Sequence, residues 1–143
     1  MIGRTQKMAV ISELLRSEEN GTISFGDYTL AAKAKVEDFE HKGDLYKVKT
    51  FKTMTKLERN GMFVYESVPG TSVSFFEENE AGITFLAEGA EDAQITVELA
   101  EDTEYEVTVG GNNIGKMKTN LGGKLNLSVE LAGAGEVKVS ILK

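Results

Sequence analysis

The last third of the chain limits the possible folds more than any other feature. Residues 95–142 read ITVELAEDTEYEVTVGGNNIGKMKTNLGGKLNLSVELAGAGEVKVSIL, with apolar side chains at alternate positions and glycine or asparagine clusters at short intervals. A period of two sends successive side chains to opposite faces of an extended strand, and Gly/Asn clusters mark the turns. The pattern therefore predicts consecutive antiparallel strands. Similar signals fall at Thr22–Phe25, Tyr28–Ala32, Lys33–Phe39, Leu45–Met54, Lys56–Arg59, Met62–Ser67, Thr71–Phe76 and Gly82–Ala87. Asn60-Gly61 is the strongest two-residue hairpin signal. Roughly ten to twelve strands with turn signals at this spacing predict an all-β antiparallel sandwich, Ig-like or jelly-roll. Ile11, Leu14 and Leu15 fall at helical spacing, so residues 8–17 are expected to form one short helix or, the run being short, a strand.

A chain of 143 residues predicts one domain by default. Residues 8–143 are expected to form a single sandwich, with a possible sub-boundary near 87–93, where the charge mix and glycine spacing change. Residues 1–7 are polar, lack an apolar period and precede a second methionine, so they are read as a non-native or flexible extension and Met8 as the native start. The N-terminus lacks the apolar run of a signal peptide, which predicts a cytoplasmic protein.

The absence of cysteine excludes disulfides, thiolate metal sites and a cysteine nucleophile. His41 is the single histidine and sits in a polar turn, so no metal site or catalytic triad is expected around it. The net charge of −7 is unevenly placed. Residues 1–59 carry 11 basic and 9 acidic side chains, residues 60–115 carry 12 acidic and none basic, and residues 116–143 carry 5 basic and 2 acidic. The acidic block argues against a nucleic-acid or anionic-membrane partner. Its carboxylates (Glu77, Glu78, Glu80, Glu91, Asp92, Glu101, Asp102) are the candidate ligands for Ca²⁺. They lack the Asp-x-Asp-x-Asp spacing of a calcium loop, so the main expectation is no cofactor and solvated acids partly offset by Lys47, Lys49, Lys52 and Lys56.

Neither a nucleophile elbow nor a nucleotide-binding glycine loop is present. Glu58 and Glu66 flank Asn60-Gly61, and as a pair of carboxylates facing each other they would be the candidates for glycoside chemistry. Exposed cross-strand charges are the simpler reading of both. Without tryptophan, a carbohydrate cleft would stack its sugar on Tyr28, Tyr46, Tyr65 or Tyr105. Lys56, Arg59, Asn60 and Tyr65 gather around a hairpin tip, a common place for binding loops, and are the candidate binding residues.

Residues 99–142 resemble the Ig-like β-modules that end many polysaccharide-active enzymes. The likeness rests on Leu99–Val109, Gly111, Gly115, Thr119-Asn120, Gly123-Lys124-Leu125 and Val137-Lys138-Val139. It implies the sandwich fold and, by analogy, a carbohydrate-binding accessory role. From Met8 on, the chain is similar to a group of short bacterial proteins that often carry the label endosialidase. That likeness rests on Phe51-Lys52, Thr55–Gly70 and Gly115–Leu125. The label implies glycan cleavage, which takes several arginines converging on the sugar carboxylate. The chain has Arg4, Arg16 and Arg59, and no catalytic residue carries over by motif. The leading expectation is a non-enzymatic structural or binding module acting through protein partners or self-association. Long sheet edges and the Ile11/Leu14/Leu15 group favour a homo-oligomer. A carbohydrate-binding domain is the alternative, and an endosialidase-type enzyme the third reading.

Overall fold

The computed structural model describes residues 9–143, so the expectations for residues 1–7 and for Met8 lie outside the described residues. The chain is all-β. Its strands are β1 Leu15–Ser17, β2 Ile23–Phe25, β3 Ala34–His41, β4 Asp44–Phe51, β5 Met54–Arg59, β6 Met62–Val68, β7 Ser72–Asn79, β8 Gly82–Glu88, β9 Ala93–Glu98, β10 Glu104–Val109, β11 Asn112–Lys118, β12 Lys124–Val129 and β13 Val137–Leu142. They form two antiparallel sheets packed as a sandwich. The larger runs β1-β2-β7-β8-β13-β10-β11 and the smaller runs β12-β9-β6-β5-β4-β3. The chain crosses between sheets from β8 to β9, through residues 89–92. Strands before and after that crossing share both sheets, since β13 pairs with β8 and β9 pairs with β6.

Alternation explains the core. In β12 the side chains of Leu125, Leu127 and Val129 are buried while Asn126 and Ser128 are exposed. In β4, Tyr46, Val48 and Thr50 are buried between the lysines Lys47 and Lys49. The Asn60-Gly61 hairpin forms as predicted, with both residues at positive φ (53° and 78°), the backbone of a tight turn that matches strand twist.

Three expectations need correction. The short helix over residues 8–17 does not form among the described residues. Leu14 lies at φ 69°, β1 begins at Leu15, and Ile11 and Leu15 are buried in the sandwich. So short a run gains too few hydrogen bonds to offset helix nucleation. Tyr28–Ala32 is a loop, because Asp27 Oδ1 accepts the Thr29 amide at 2.9 Å and turns the chain. Leu45–Met54 is not one strand: it breaks at Lys52-Thr53, and β4 folds back onto β5.

Buried polar groups fasten the sheets. Thr55 Oγ1 donates to the Thr71 carbonyl (2.8 Å) and accepts the Thr71 amide (3.1 Å). Thr50 Oγ1 lies 2.8 Å from Thr55 Oγ1 and accepts the Asp27 amide at 2.9 Å. The hydroxyls of Tyr65 and Ser67 both lie 2.8 Å from Thr71 Oγ1. These groups hold one another, so their burial leaves few polar atoms unpaired.

Candidate functional site

The structure does not bring the candidate residues Lys56, Arg59, Asn60 and Tyr65 together. Tyr65 is fully buried between Phe25, Phe76 and Phe85, so it belongs to the core and not to a binding loop. Alternation decides this: Tyr65 shares the inward face of β6 with Ser67, while Glu66 points out. Asn60 ties the tip of its hairpin to the start of β4. Its Oδ1 accepts the Leu45 amide (3.0 Å) and its Nδ2 donates to Asp44 Oδ1 (2.9 Å). Arg59 lies at the end of the sandwich and donates to Glu78 Oε1 at 2.7 Å, joining β5 of the smaller sheet to β7 of the larger. Burial opposes the charge on Arg59, but Glu78, with Tyr46, more than offsets it and holds the guanidinium above its ordinary pKa. Lys56 is half-buried on the outer face of the smaller sheet, 3.6 Å from Glu58.

Two clefts meet at that end, of about 360 Å³ and 340 Å³, and both include Arg59, Glu78 and Asn79. His41 lines the second cleft and is more structured than a solvated turn residue. Its Nε2 lies 3.1 Å from the Gly21 carbonyl and its Nδ1 lies 2.8 Å from Ser17 Oγ. A carbonyl only accepts, so Nε2 carries a proton, and in the neutral ring Ser17 Oγ donates to Nδ1. The pair ties edge strand β1 to the end of β3, with a backbone carbonyl where a triad has its acid.

The carboxylate pair also fails. A bulge in the β5–β6 ladder puts Phe63 opposite Glu58 and Lys56 opposite Glu66, so Glu58 and Glu66 do not face each other. The acids proposed as calcium ligands are scattered. Glu77, Glu78 and Glu80 lie at the β7–β8 turn, and Asp92 caps the β12 end by accepting the Leu131 and Ala132 amides at 3.0 and 3.1 Å. Among the described residues no group of three His, Asp or Glu converges as a metal site.

The tyrosines give no sugar platform: Tyr46, Tyr65 and Tyr105 are buried and Tyr28 is half-buried. The Tyr28 hydroxyl donates to Glu88 Oε2 at 2.8 Å. Its pKa is pushed up from 10.0 to about 12, by burial first and then by the Glu88 carboxylate. The folded state thus keeps this proton longer than the unfolded chain does. The resulting stability is complete below the ordinary value of 10.0 and is lost as pH rises through about 12. Urea titrations at about pH 9 and about pH 11.5 should show a larger fall in midpoint for the unmodified chain than for Tyr28→Phe. Equal falls would mean Tyr28 does not carry the effect.

The most distinctive surface is the outer face of the smaller sheet. Register aligns Lys35 with Lys49, Lys49 with Lys56, Lys56 with Glu66, Glu66 with Thr96 and Thr96 with Asn126. A row of side chains therefore crosses every strand of that sheet and begins with three adjacent lysines. Like charges directly opposite one another destabilise a sheet. Lys35 and Lys56 reach Glu37 and Glu58 on their own strands at 3.5 and 3.6 Å, while Lys49 has no ion pair among the described residues. Lys47 and Lys35 hold the Glu37 carboxyl below its ordinary range. Beside the lysines runs an apolar row. Phe51 pairs with Met54 and Val68 follows on β6 with 51% exposure; beyond it the row turns polar at Gln94 and Ser128.

Only part of this face could be read in the sequence. Lys47 and Lys49 alternate visibly, but the unrecognised turn at Lys52-Thr53 hid the pairing of Lys49 with Lys56. Comparison with family models, curated proteins and solved structures finds no match to this chain.

Proposed function

We propose that this chain is a non-enzymatic binding module that docks a protein partner on the outer face of its smaller sheet. The observation that carries this reading is the lysine row Lys35–Lys49–Lys56 beside the apolar row Phe51–Met54–Val68. The charges suit a partner that brings carboxylates, and the apolar row suits an aliphatic or aromatic anchor. Aromatic residues and methionine are enriched in protein interfaces. Glu37, Glu58 and Glu66 are interspersed with the lysines, which disfavours a uniformly charged polyanion such as nucleic acid. The carbohydrate alternative draws support from the C-terminal resemblance, but of the tyrosines that would stack a sugar Tyr46, Tyr65 and Tyr105 are buried in the core and Tyr28 is half-buried, its hydroxyl held by Glu88. For the enzymatic reading, Glu58 and Glu66 do not oppose each other.

Selection of a displayed random-peptide library against the whole chain tests the proposal. Enriched peptides should combine acidic residues with an apolar one. Their affinity should fall at least about tenfold, or ~1.4 kcal/mol, in Lys49→Glu/Lys56→Glu. Binding that ignores this double substitution would overturn the assignment. So would a thermal shift with one glycan class and no peptide enrichment.

A further inference from the structure

Each sheet has two edges: β1 and β11 in the larger, β12 and β3 in the smaller. Exposed edges invite pairing with another chain and are usually blunted by short length, bulges or charges. β1 is 3 residues long and carries Arg16. β3 is bulged between Val36 and Phe39, has Asp38 at φ 56°, and carries Lys35 and Glu37. β11 takes part in a bulged ladder and carries Lys116 and Lys118. β12 is different. Its register with β9 runs unbroken from Lys124 to Val129, and the residues between Leu125 and Val129 carry no charge.

The direction of its backbone groups follows from local bonds. The Gly123 carbonyl accepts the Leu99 amide at 2.8 Å, toward β9. Lys124 faces the other way, its amide donating to Asn120 Oδ1 (2.9 Å) and its carbonyl accepting the Asn120 amide (3.0 Å). In an antiparallel ladder this alternates by residue. The amide and carbonyl groups of Asn126 and Ser128 therefore point to the open edge.

We infer that β12 is a homodimer edge, pairing antiparallel with β12 of a second copy about a two-fold axis at Leu127. This goes beyond the docking face and does not depend on it. The register is chosen by charge and by face. Lys124 and Glu130 bracket the strand; Glu130 is exposed with no ion pair among the described residues, and Lys124, 3.4 Å from Glu98 of its own copy, can bridge both carboxylates. Centring on Leu127 sets Lys124 of each copy opposite Glu130 of the other, and Asn126 opposite Ser128. Asn126 and Ser128 then exchange main-chain hydrogen bonds through groups already aimed outward. The parity is also right: Leu125, Leu127 and Val129 stay on the core face, and the outer faces of the two smaller sheets join. A register slipped by one residue would oppose inward and outward side chains. Such an interface is isologous, the commonest symmetry of soluble oligomers.

The chain contains no cysteine, so oxidative cross-linking reads the register directly. Asn126→Cys protein mixed with Ser128→Cys protein should form a disulfide-linked dimer, because directly opposed residues lie within disulfide reach. Each variant alone should cross-link far more slowly, since like residues are diagonal in this register. Sedimentation velocity should show a concentration-dependent dimer that Ser128→Pro abolishes. That proline removes an edge amide that β9 does not use, and with it only the exposed hydroxyl that accepts from Gln94 Nε2 at 2.6 Å, so the thermal midpoint of the monomer should fall only slightly. If Ser128→Pro unfolds, the cross-linking comparison still decides. A monomer at every concentration, or equal cross-linking in the mixture and in the single variants, would overturn the inference. Peptide binding to the lysine face would be untouched by either result, so failure here is distinguishable from failure of the docking proposal.

Discussion

Tyr65→Ala is expected to cost about 3–5 kcal/mol of folding stability, as truncation of a fully buried aromatic does. Tyr65 is the largest fully buried side chain, and its ring meets Phe25, Phe76 and Phe85 edge-on at centroid distances of 5.2, 6.2 and 5.6 Å. Phe25, Phe76 and Phe85 stand on strands of the larger sheet and Tyr65 on the smaller, so the missing ring would open a cavity between the layers. The backbone holds both walls of that cavity, which limits collapse around it. Tyr65→Phe separates packing from polarity. It keeps the ring and removes the hydroxyl beside Thr71 Oγ1, and should cost about 1–2 kcal/mol. Urea unfolding should show a lower midpoint with an unchanged slope in both variants, the alanine change shifting it well beyond the phenylalanine change. Equal shifts would mean that the hydroxyl network, and not the aromatic cluster, dominates at this position.

The second large effect is expected at Gly82, the first residue of β8. It lies at φ 145° and pairs with Leu142. A Cβ there would run into the carbonyl oxygen of Ile141 and stand 2.9 Å from its carbon. The obstacle is the backbone of β13, which lies between β8 and β10 in the larger sheet, not the end of a flexible side chain. Gly82→Ala must therefore push β8 and β13 apart or abandon the backbone conformation. Overpacking and a backbone region reserved for glycine each cost about 1–3 kcal/mol, so a loss of roughly 2–5 kcal/mol is expected. Gly61→Ala is the control. It also lies at positive φ, 78°, but an added Cβ meets nothing within 4 Å, so it should cost only the conformational strain of about 1–2 kcal/mol. Thermal midpoints of the two variants check the difference, and a similar fall in both would remove the clash as the cause.

Local signals were read correctly where short-range physics decides. Alternation in residues 95–142 specified strands, and Asn60-Gly61 specified its turn, because side-chain direction and φ are properties of a few adjacent residues. The same reasoning failed where a break lacked strong turn residues. Lys52-Thr53 turns the chain because Thr50 and Thr55 meet across the hairpin in the core and the Lys52 amide donates at 2.9 Å to the carbonyl of Leu30, a partner distant in sequence. Without that turn, the three lysines could not be placed in one row.

The candidate site divides along the same line. Tyr65 was legible as an aromatic near a hairpin, but its place inside the sandwich depends on which face of β6 meets the larger sheet. Arg59 was legible as a charge near a tip, yet its partner Glu78 comes from the opposite layer. The unguarded edge is likewise a tertiary fact. The string Lys124–Val129 is an ordinary strand by itself, and only the strand order makes it terminal in its sheet. By itself, the sequence determined that this protein is made of antiparallel strands with a two-faced pattern, since hydrophobic periodicity acts residue by residue. The tertiary structure alone decided which strands are neighbours, and hence which charges align and which edge stays open, because pairing joins residues that the chain separates.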